Sequence, residues 1–95
     1  MGTMAKKPAR LTMYYGEECP HCHRMDPLVE RLKKEEGLTV ERLEVWHSEE
    51  NARLMRSRDR HCGGVPFFYN DETRETLCGE VPYSELKKWA LGLKG

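Results

Sequence analysis

The chain has 95 residues, and its 16 basic residues balance 16 acidic ones, so its formal net charge is zero. This length accommodates one small domain with a single core. The balanced charge argues against recruitment of nucleic acid or of an anionic membrane surface. No apolar run approaches the ~18 residues of a transmembrane helix. Four cysteines are too few for a secreted scaffold held together mainly by disulfides.

The N-terminal residues carry no folding pattern. We interpret residues 1–8 as a tail, because Met1-Gly2-Thr3 resembles a cloning remnant ahead of a natural Met4. Residues 9–95 are predicted to form a single domain without repeats or linkers. Whether a signal peptide was removed from before Met4 is left open.

The first predicted elements are a strand, a helix and a second strand. Residues 9–15 are apolar, aromatic and β-branched, which predicts a strand. Residues 19–36 predict a helix, because apolar residues recur at helical spacing from Met25 to Leu32 and Gly37 offers a C-cap. Residues 38–46 alternate apolar and polar side chains and predict the second strand.

The second half of the chain predicts a helix, a hairpin and a closing helix. Ser48 is expected to cap a helix that ends near Arg60. Residues 67–69 and 73–78 are predicted to pair as a hairpin. The last helix opens at Pro82. Its apolar stripe consists of Leu86, Trp89, Ala90 and Leu93. The predicted order is βαβαββα, with the first two strands parallel and joined by a right-handed crossover.

The most informative motif, Cys19-Pro20-His21-Cys22, lies where the first strand meets the first helix. Two thiols three positions apart in the first helical turn can close a small disulfide without moving the backbone. The unpaired N–H groups and the positive dipole end of the helix favour a thiolate. We therefore predict Cys19 as a solvent-facing nucleophile with a pKa below the free value of ~8.5, and Cys22 as a more buried resolving thiol.

The residues beside the two cysteines are candidates for tuning this chemistry. Pro20 lacks an N–H that the helix start does not need, and its fixed φ rigidifies the turn. His21 can favour the Cys19 thiolate when it is protonated or donates a hydrogen bond, which makes the disulfide more oxidising. The alternative for His21 is an exposed spacer. We expect His23 and Arg24 at solvated positions on the helix surface.

Three features in chain order resemble the thioredoxin superfamily, and they span residues 11–93. The first is the Cys19-Pro20-His21-Cys22 motif after a strand. The second is Pro27, five residues past Cys22, where thioredoxins carry a helix-kinking proline. The third is Gly64-Val65-Pro66-Phe67-Phe68, which resembles the cis-proline segment of that family.

This resemblance implies an α/β thioredoxin fold in its minimal form. The fold has a four-stranded mixed sheet in the order 2-1-3-4, with helices on both faces. It also implies a cis bond before Pro66, which would leave the Val65 backbone free to pair with an extended substrate beside Cys19. An X-Pro bond is cis only ~5–6% of the time by default, so this expectation depends on the resemblance.

Within the superfamily the chain has mixed features. Its Pro-His dipeptide resembles DsbA-type disulfide oxidases, whereas its small size resembles glutaredoxins. Gly64 before Val65, and Cys78-Gly79-Glu80, depart from the glutaredoxin pattern and argue against glutathione use. The buried acid of thioredoxins has no counterpart in residues 11–15, so proton transfer would use another group or water. Tyr14 and Tyr15 in that segment are expected in the core and at its rim.

Cys62 and Cys78 have no counterpart in the family pattern. Our first expectation is that they are two unbonded, small apolar residues. The alternatives are a second disulfide between them, or a zinc site that includes His61.

Two other classes of protein share parts of the motif. Cys19 to His23 satisfies Cys-X-X-Cys-His, the attachment sequence of c-type haem, with Met55 as a second axial ligand. The strands predicted on either side of the motif argue against this reading. A zinc-binding module is the other alternative, although its donors are incomplete for a structural site. Those donors would be Cys19, Cys22, His23, His61 and Cys62.

We predict a thiol–disulfide oxidoreductase without a bound cofactor, its electrons carried by a redox-active Cys19–Cys22 disulfide. Reduction or exchange of protein or small-molecule disulfides in the cytoplasm is the working hypothesis, and a DsbA-type oxidase or isomerase is the alternative. The expected partners are a disulfide-containing protein and an electron-donating reductase or small thiol. Nucleic acid and membranes are not expected partners, and the chain is expected to be a monomer.

Overall fold

Seven elements follow one another in the predicted order βαβαββα, which is therefore confirmed. The computed structural model describes residues 10–59 and 61–92, so the tail and the predictions at Ala9, Arg60 and Leu93 lie outside the described residues. The elements are β1 (Leu11–Tyr15), α1 (Pro20–Glu36), β2 (Val40–Glu44), α2 (Glu49–Arg58), β3 (Phe67–Asn70), β4 (Thr76–Cys78) and α3 (Tyr83–Leu91).

Three strands are shorter than predicted: β1 begins at Leu11 although the predicted strand includes residue 10, β2 covers Val40–Glu44 rather than 38–46, and β4 covers Thr76–Cys78. At two of these ends, side chains bind the main chain. β2 ends at Glu44, and the carboxylate of Glu44 accepts a hydrogen bond from the N–H of Trp46 at 3.2 Å, which turns the chain. β4 begins at Thr76 rather than at residue 73. Oδ1 of the buried Asn70 accepts from the N–H of Thr73 at 3.3 Å and keeps that residue in the turn.

The sheet has the predicted strand order β2-β1-β3-β4 and is mixed. β1 runs parallel to β2, with Tyr15 opposite Glu44, and antiparallel to β3, with Tyr14 opposite Phe67. The carboxyl ends of β1 and β2 and the amino end of β3 therefore meet at one edge of the sheet, here termed the motif edge. The chain segments that follow β1 and β2 and precede β3 all lie there.

Helices cover both faces of the sheet, as predicted. α1 and α3 pack on one face through an apolar cluster that includes Met25, Leu32, Phe68, Leu86 and Trp89. α2 packs on the other face, where Ala52 and Met55 contact the cluster of Tyr14, Val45 and Phe67. Tyr14 is fully buried and Tyr15 is half-buried, which confirms their expected places in the core and at its rim.

The helix ends follow the local sequence signals. Oγ of Ser48 accepts from the N–H of Asn51 at 3.2 Å and caps α2 as predicted. Gly37 ends α1 in the left-handed region, with φ 68°, and its N–H donates to the carbonyl of Lys33. Pro27 lies inside α1. Within residues 10–59 and 61–92, no helix is both long and apolar enough to cross a bilayer.

Candidate redox site at the start of the first helix

Cys19 and Cys22 are both free thiols and face each other across the first turn of α1. Their Sγ atoms lie 2.6 Å apart, and the N–H of Cys22 donates to Sγ of Cys19 at 3.2 Å. Cys19 is the N-cap residue, with an extended backbone, and Pro20 occupies the first helical position. A short movement of the sulfurs would reach the ~2.05 Å of a disulfide bond.

Both thiols are buried, so the predicted solvent-facing position of Cys19 is wrong. Cys19 is 4% exposed and Cys22 is 1% exposed, and both belong to the apolar cluster beneath α1 and α3. The Cys19 sulfur turns inward because, as the helix cap, it meets the N–H and the thiol of Cys22. Its neighbours Glu18 and Pro20 are exposed, so the Cys19 sulfur lies just below the surface.

The thiol of Cys22 is held in its protonated form. Burial, followed by the hydrogen bond between the two thiols, raises the pKa of Cys22 to about 12. The negative charge of Asp26, one turn along α1, adds to the increase in the pKa of Cys22. Cys22 therefore has the features of the predicted resolving thiol, which is protonated and inert while Cys19 is free.

His21 is exposed and contacts a residue from the other end of the chain. Its Nδ1 lies 3.0 Å from Oε1 of Glu80 and 3.2 Å from Nη1 of Arg24, which itself donates to Oε1 of Glu80 at 3.3 Å. In the described part of the chain, the hydrogen bonds of His21 go to these two residues and not to Cys19. The hydrogen bond from His21, followed by that from Arg24, lowers the pKa of Glu80.

His23 and Arg24 lie on the helix surface, as expected. Nε2 of His23 donates to the carbonyl of Glu17 at 2.6 Å, and Nδ1 lies 3.3 Å from the carboxylate of Asp26. The bond to the Glu17 carbonyl, and then the one to Asp26, raise the pKa of His23. The ring of His23 thus connects the turn before the motif to α1.

The bond between Val65 and Pro66 is cis, as the family resemblance implies. Pro66 is fully buried, and its carbonyl accepts from the N–H of Gly79 at 2.8 Å. Pro66 precedes Phe67, which pairs with Tyr14, so the cis bond lies beside the segment that carries Cys19. Across residues 10–59 and 61–92, no group hydrogen bonds to the N–H or the carbonyl of Val65.

Cys62 and Cys78 form a disulfide, with their Cα atoms 5.5 Å apart, so our first expectation of two unbonded cysteines is wrong. The bond ties the segment before Pro66 to the end of β4. The carboxylate of Asp59 also holds this segment, because it accepts from the N–H groups of Cys62 at 2.7 Å and Gly63 at 2.8 Å. Cross-strand pairing places Cys78 opposite Phe67. That pairing brings Cys78 close to Cys62 across the cis-proline turn.

The donor sets of the haem and zinc alternatives do not assemble. Met55 packs on the face of the sheet opposite to the cluster that contains Cys19 and Cys22, so it could not ligate a haem bound there together with His23. Cys62 is bonded to Cys78 and is lost as a zinc ligand. In the described residues, three metal-binding side chains converge only at Glu18, Glu44 and His47, all outside the predicted set.

Sequence reasoning missed three residues of the motif edge: Glu44, Trp46 and Glu80. The carboxylate of Glu44 accepts from the N–H of Glu17 at 2.9 Å, as well as from that of Trp46. It thereby fastens the motif loop to the turn after β2. No local pattern predicts the contacts of Glu44 with Glu17, of Trp46 with Gly16 and of Glu80 with His21, because these partners are distant in sequence.

No protein-family model matches the sequence, and no curated protein matches it significantly. Support for the function of this chain therefore comes from the geometry of the site itself. That site combines two facing thiols at a helix start, a cis-proline preceded by a backbone group to which no described residue bonds, and a charged cluster around His21.

Proposed function

We propose that this chain is a thiol–disulfide oxidoreductase of the thioredoxin superfamily, with Cys19 as the nucleophile and Cys22 as the resolving thiol. The observation that carries the proposal is the contact of two free thiols, 2.6 Å apart, at the N-terminus of α1. The cis bond before Pro66 and the strand order 2-1-3-4 support the same family. The two sulfurs carry the electrons, so the reaction needs no bound cofactor.

In the first step, the Cys19 thiolate attacks one sulfur of a substrate disulfide. The substrate S–S bond breaks, a mixed disulfide forms, and the leaving thiolate takes up a proton. The backbone N–H of Cys22 donates to the Cys19 sulfur, and the helix dipole adds a favourable field, both of which stabilise negative charge on this sulfur. Because Cys19 is 4% exposed, its sulfur must turn outward to reach the substrate.

In the second step, Cys22 loses its proton and attacks the Cys19 sulfur. The mixed disulfide breaks, the second substrate thiol leaves, and the Cys19–Cys22 disulfide forms, so that two electrons have passed to the substrate. Formation of the mixed disulfide removes the thiol of Cys19, whose hydrogen bond is one cause of the raised pKa of Cys22. Deprotonation of Cys22 thus becomes easier at the stage where it is needed.

We propose net reduction of protein disulfides in the cytoplasm by a monomer, with an electron-donating reductase or a small thiol as the second partner. Val65 supports a polypeptide substrate, because its free N–H and carbonyl can pair with an extended segment beside Cys19. A second candidate is net oxidation of the DsbA type. The Cys62–Cys78 disulfide favours it, since persistent disulfides are typical of oxidising compartments.

The test is a disulfide-reduction assay with Cys19→Ser and Cys22→Ser variants. Cys19→Ser should abolish turnover, and Cys22→Ser should accumulate a mixed disulfide with the substrate. Equilibration of the Cys19–Cys22 couple with glutathione then separates the two candidates. A potential near −270 mV, about that of thioredoxin, supports a reductase, and one near −120 mV, about that of DsbA, supports an oxidase. Full turnover by Cys19→Ser would refute both.

A further inference from the structure

Trp46 is a large aromatic residue that remains 52% exposed at the motif edge. Its ring lies directly against Gly16, so closely that any side chain at position 16 would overlap it. Gly16 in turn accepts a hydrogen bond from the N–H of Cys19 at 3.0 Å. Trp46 therefore packs against the same short loop that contains Cys19, and one face of its ring stays exposed to solvent.

Hydrogen bonds from side chains fix the main chain around Trp46. The Glu44 carboxylate accepts from the N–H of Trp46 and from that of Glu17, and its second oxygen accepts from the N–H of His47 at 2.8 Å. Nε2 of His47 lies 2.8 Å from the carboxylate of Glu18. A residue that is fixed before a partner arrives loses little conformational entropy when that partner binds.

The strand register places Trp46 and Val65 on opposite sides of the cysteine motif. On one side, Trp46 lies two residues after Glu44, which pairs with Tyr15 of β1. On the other side, Val65 lies two residues before Phe67, which pairs with Tyr14 of β1. The chain leads directly from Tyr14 and Tyr15 into the loop that carries Cys19. Two interstrand spacings separate β2 from β3, which is about 10 Å. Three residues of an extended chain cover this distance at about 3.3 Å per residue.

The two sides offer different chemistry to one ligand. The N–H and carbonyl of Val65 have no partner in the described part of the chain, and they suit the main chain of an extended peptide. The Trp46 ring suits an apolar or aromatic side chain. We propose that Trp46 and Val65 form a docking surface for an extended polypeptide whose disulfide cysteine is flanked by an apolar residue. This inference rests on the proposed function and adds to it the contact of Trp46 with an apolar residue beside the disulfide cysteine.

The test compares a polypeptide disulfide with a small one in the full chain. Trp46→Ala should lower kcat/KM for reduction of oxidised insulin about fivefold or more, the size expected for loss of one aromatic contact. It should leave reduction of bis(2-hydroxyethyl) disulfide and the alkylation rate of Cys19 unchanged. Trp46→Phe should retain most of the insulin activity. Leu54→Ala is the matched control, because Leu54 is also an exposed large apolar residue but lies on α2.

A second variant tests the same surface without removing the ring. Gly16→Ala should displace the Trp46 ring and cause the same selective loss, and it should add little to Trp46→Ala in the double variant. An equal loss with both substrates, or no loss with insulin, would overturn the docking surface and leave the proposed function intact. Inactivity of the wild-type chain toward both disulfides would instead refute the proposed function.

Discussion

The carboxylate of Glu80 lies 3.0 Å from Nδ1 of His21, so a residue just past β4 contacts the middle of the cysteine motif 59 positions earlier. Arg24 completes this cluster with a second contact to Glu80. The acidic charge of Glu80 thus faces the imidazole of His21 and the guanidinium of Arg24. The electrostatic field at the cysteine motif therefore depends both on residues of α1 and on Glu80.

Replacement of Glu80 should make the cysteine pair more oxidising. In Glu80→Gln, the positive charge of Arg24 is no longer compensated, and a negative charge close to the motif is lost, so a thiolate on Cys19 is favoured. We expect alkylation of Cys19 at neutral pH to become about threefold faster, and the potential of the couple to become about 15 mV less negative, since tenfold corresponds to about 30 mV.

The control for this prediction is Glu72→Gln. Glu72 is exposed in the turn between β3 and β4, at the end of the hairpin remote from the motif edge. Its replacement removes the same charge and should leave both quantities unchanged. Slower alkylation in Glu80→Gln would contradict the electrostatic role of this residue.

The Cys62–Cys78 disulfide should contribute substantially to stability. It joins residues 16 positions apart, and closure of a loop of that length stabilises a fold by about 3 kcal/mol through the entropy of the unfolded chain. The Cys62→Ser/Cys78→Ser variant should therefore melt about 12–24 °C below the oxidised wild type in a calorimetric scan. Reduction of the wild type should lower its Tm to that of the variant. A wild-type Tm that does not respond to reductant would show that the bond does not form.

The raised pKa of Cys22 predicts a stability loss at alkaline pH. The folded chain holds the Cys22 proton up to about pH 12, whereas the unfolded chain releases it near the ordinary value of ~8.5. Stability is thus fully present below about pH 8.5 and falls as pH rises toward 12, with a slope of at most about 1.4 kcal/mol per pH unit.

Urea unfolding of the reduced chain measures this effect. The Cys62→Ser/Cys78→Ser background removes the contribution of Cys62 and Cys78 and leaves Cys19 in both chains. Adding Cys22→Ser should abolish the loss between about pH 8.5 and 10, below the range in which tyrosine and lysine titrate. If the two variants lose stability in parallel over that range, Cys22 is not the group that titrates.

The imidazole of His23 should titrate above its ordinary value of ~6.5. Its donated bonds to the Glu17 carbonyl and to Asp26 favour the charged ring. Because the folded pKa of His23 is raised, its stabilising contribution is present below about pH 6.5 and disappears as pH rises through the folded value. NMR of the ring protons gives the midpoint directly. Asp26→Asn should lower the midpoint, and a wild-type midpoint at or below ~6.5 would rule out the two bonds in solution.

Local patterns were sufficient for the types of the elements and their order along the chain. The capping by Ser48, the stop at Gly37 and the helical spacing from Met25 to Leu32 depend on neighbours within a few residues, and the structure has each of them. The strand order and the cis bond before Pro66 came from a family resemblance carried by three short motifs. Both agree with the structure.

The burial of Cys19 and the pairing of Cys62 with Cys78 could not be predicted from local sequence patterns. The position of Cys19 at the start of a helix predicts exposure to solvent, yet the packing of α1 and α3 on the sheet encloses its sulfur. Cys62 and Cys78 were expected to be unbonded. Their pairing requires the register of β3 with β4, which places Cys78 opposite Phe67.

By itself, the amino-acid sequence determined that two thiols stand one helical turn apart at the start of α1, because that spacing and the signals for a strand and a helix are local. Only the tertiary structure decided what surrounds them: Glu80 beside His21, Trp46 over Gly16, and the free backbone of Val65. The physical reason is that each of these contacts joins segments that meet only when the strands pair in one register.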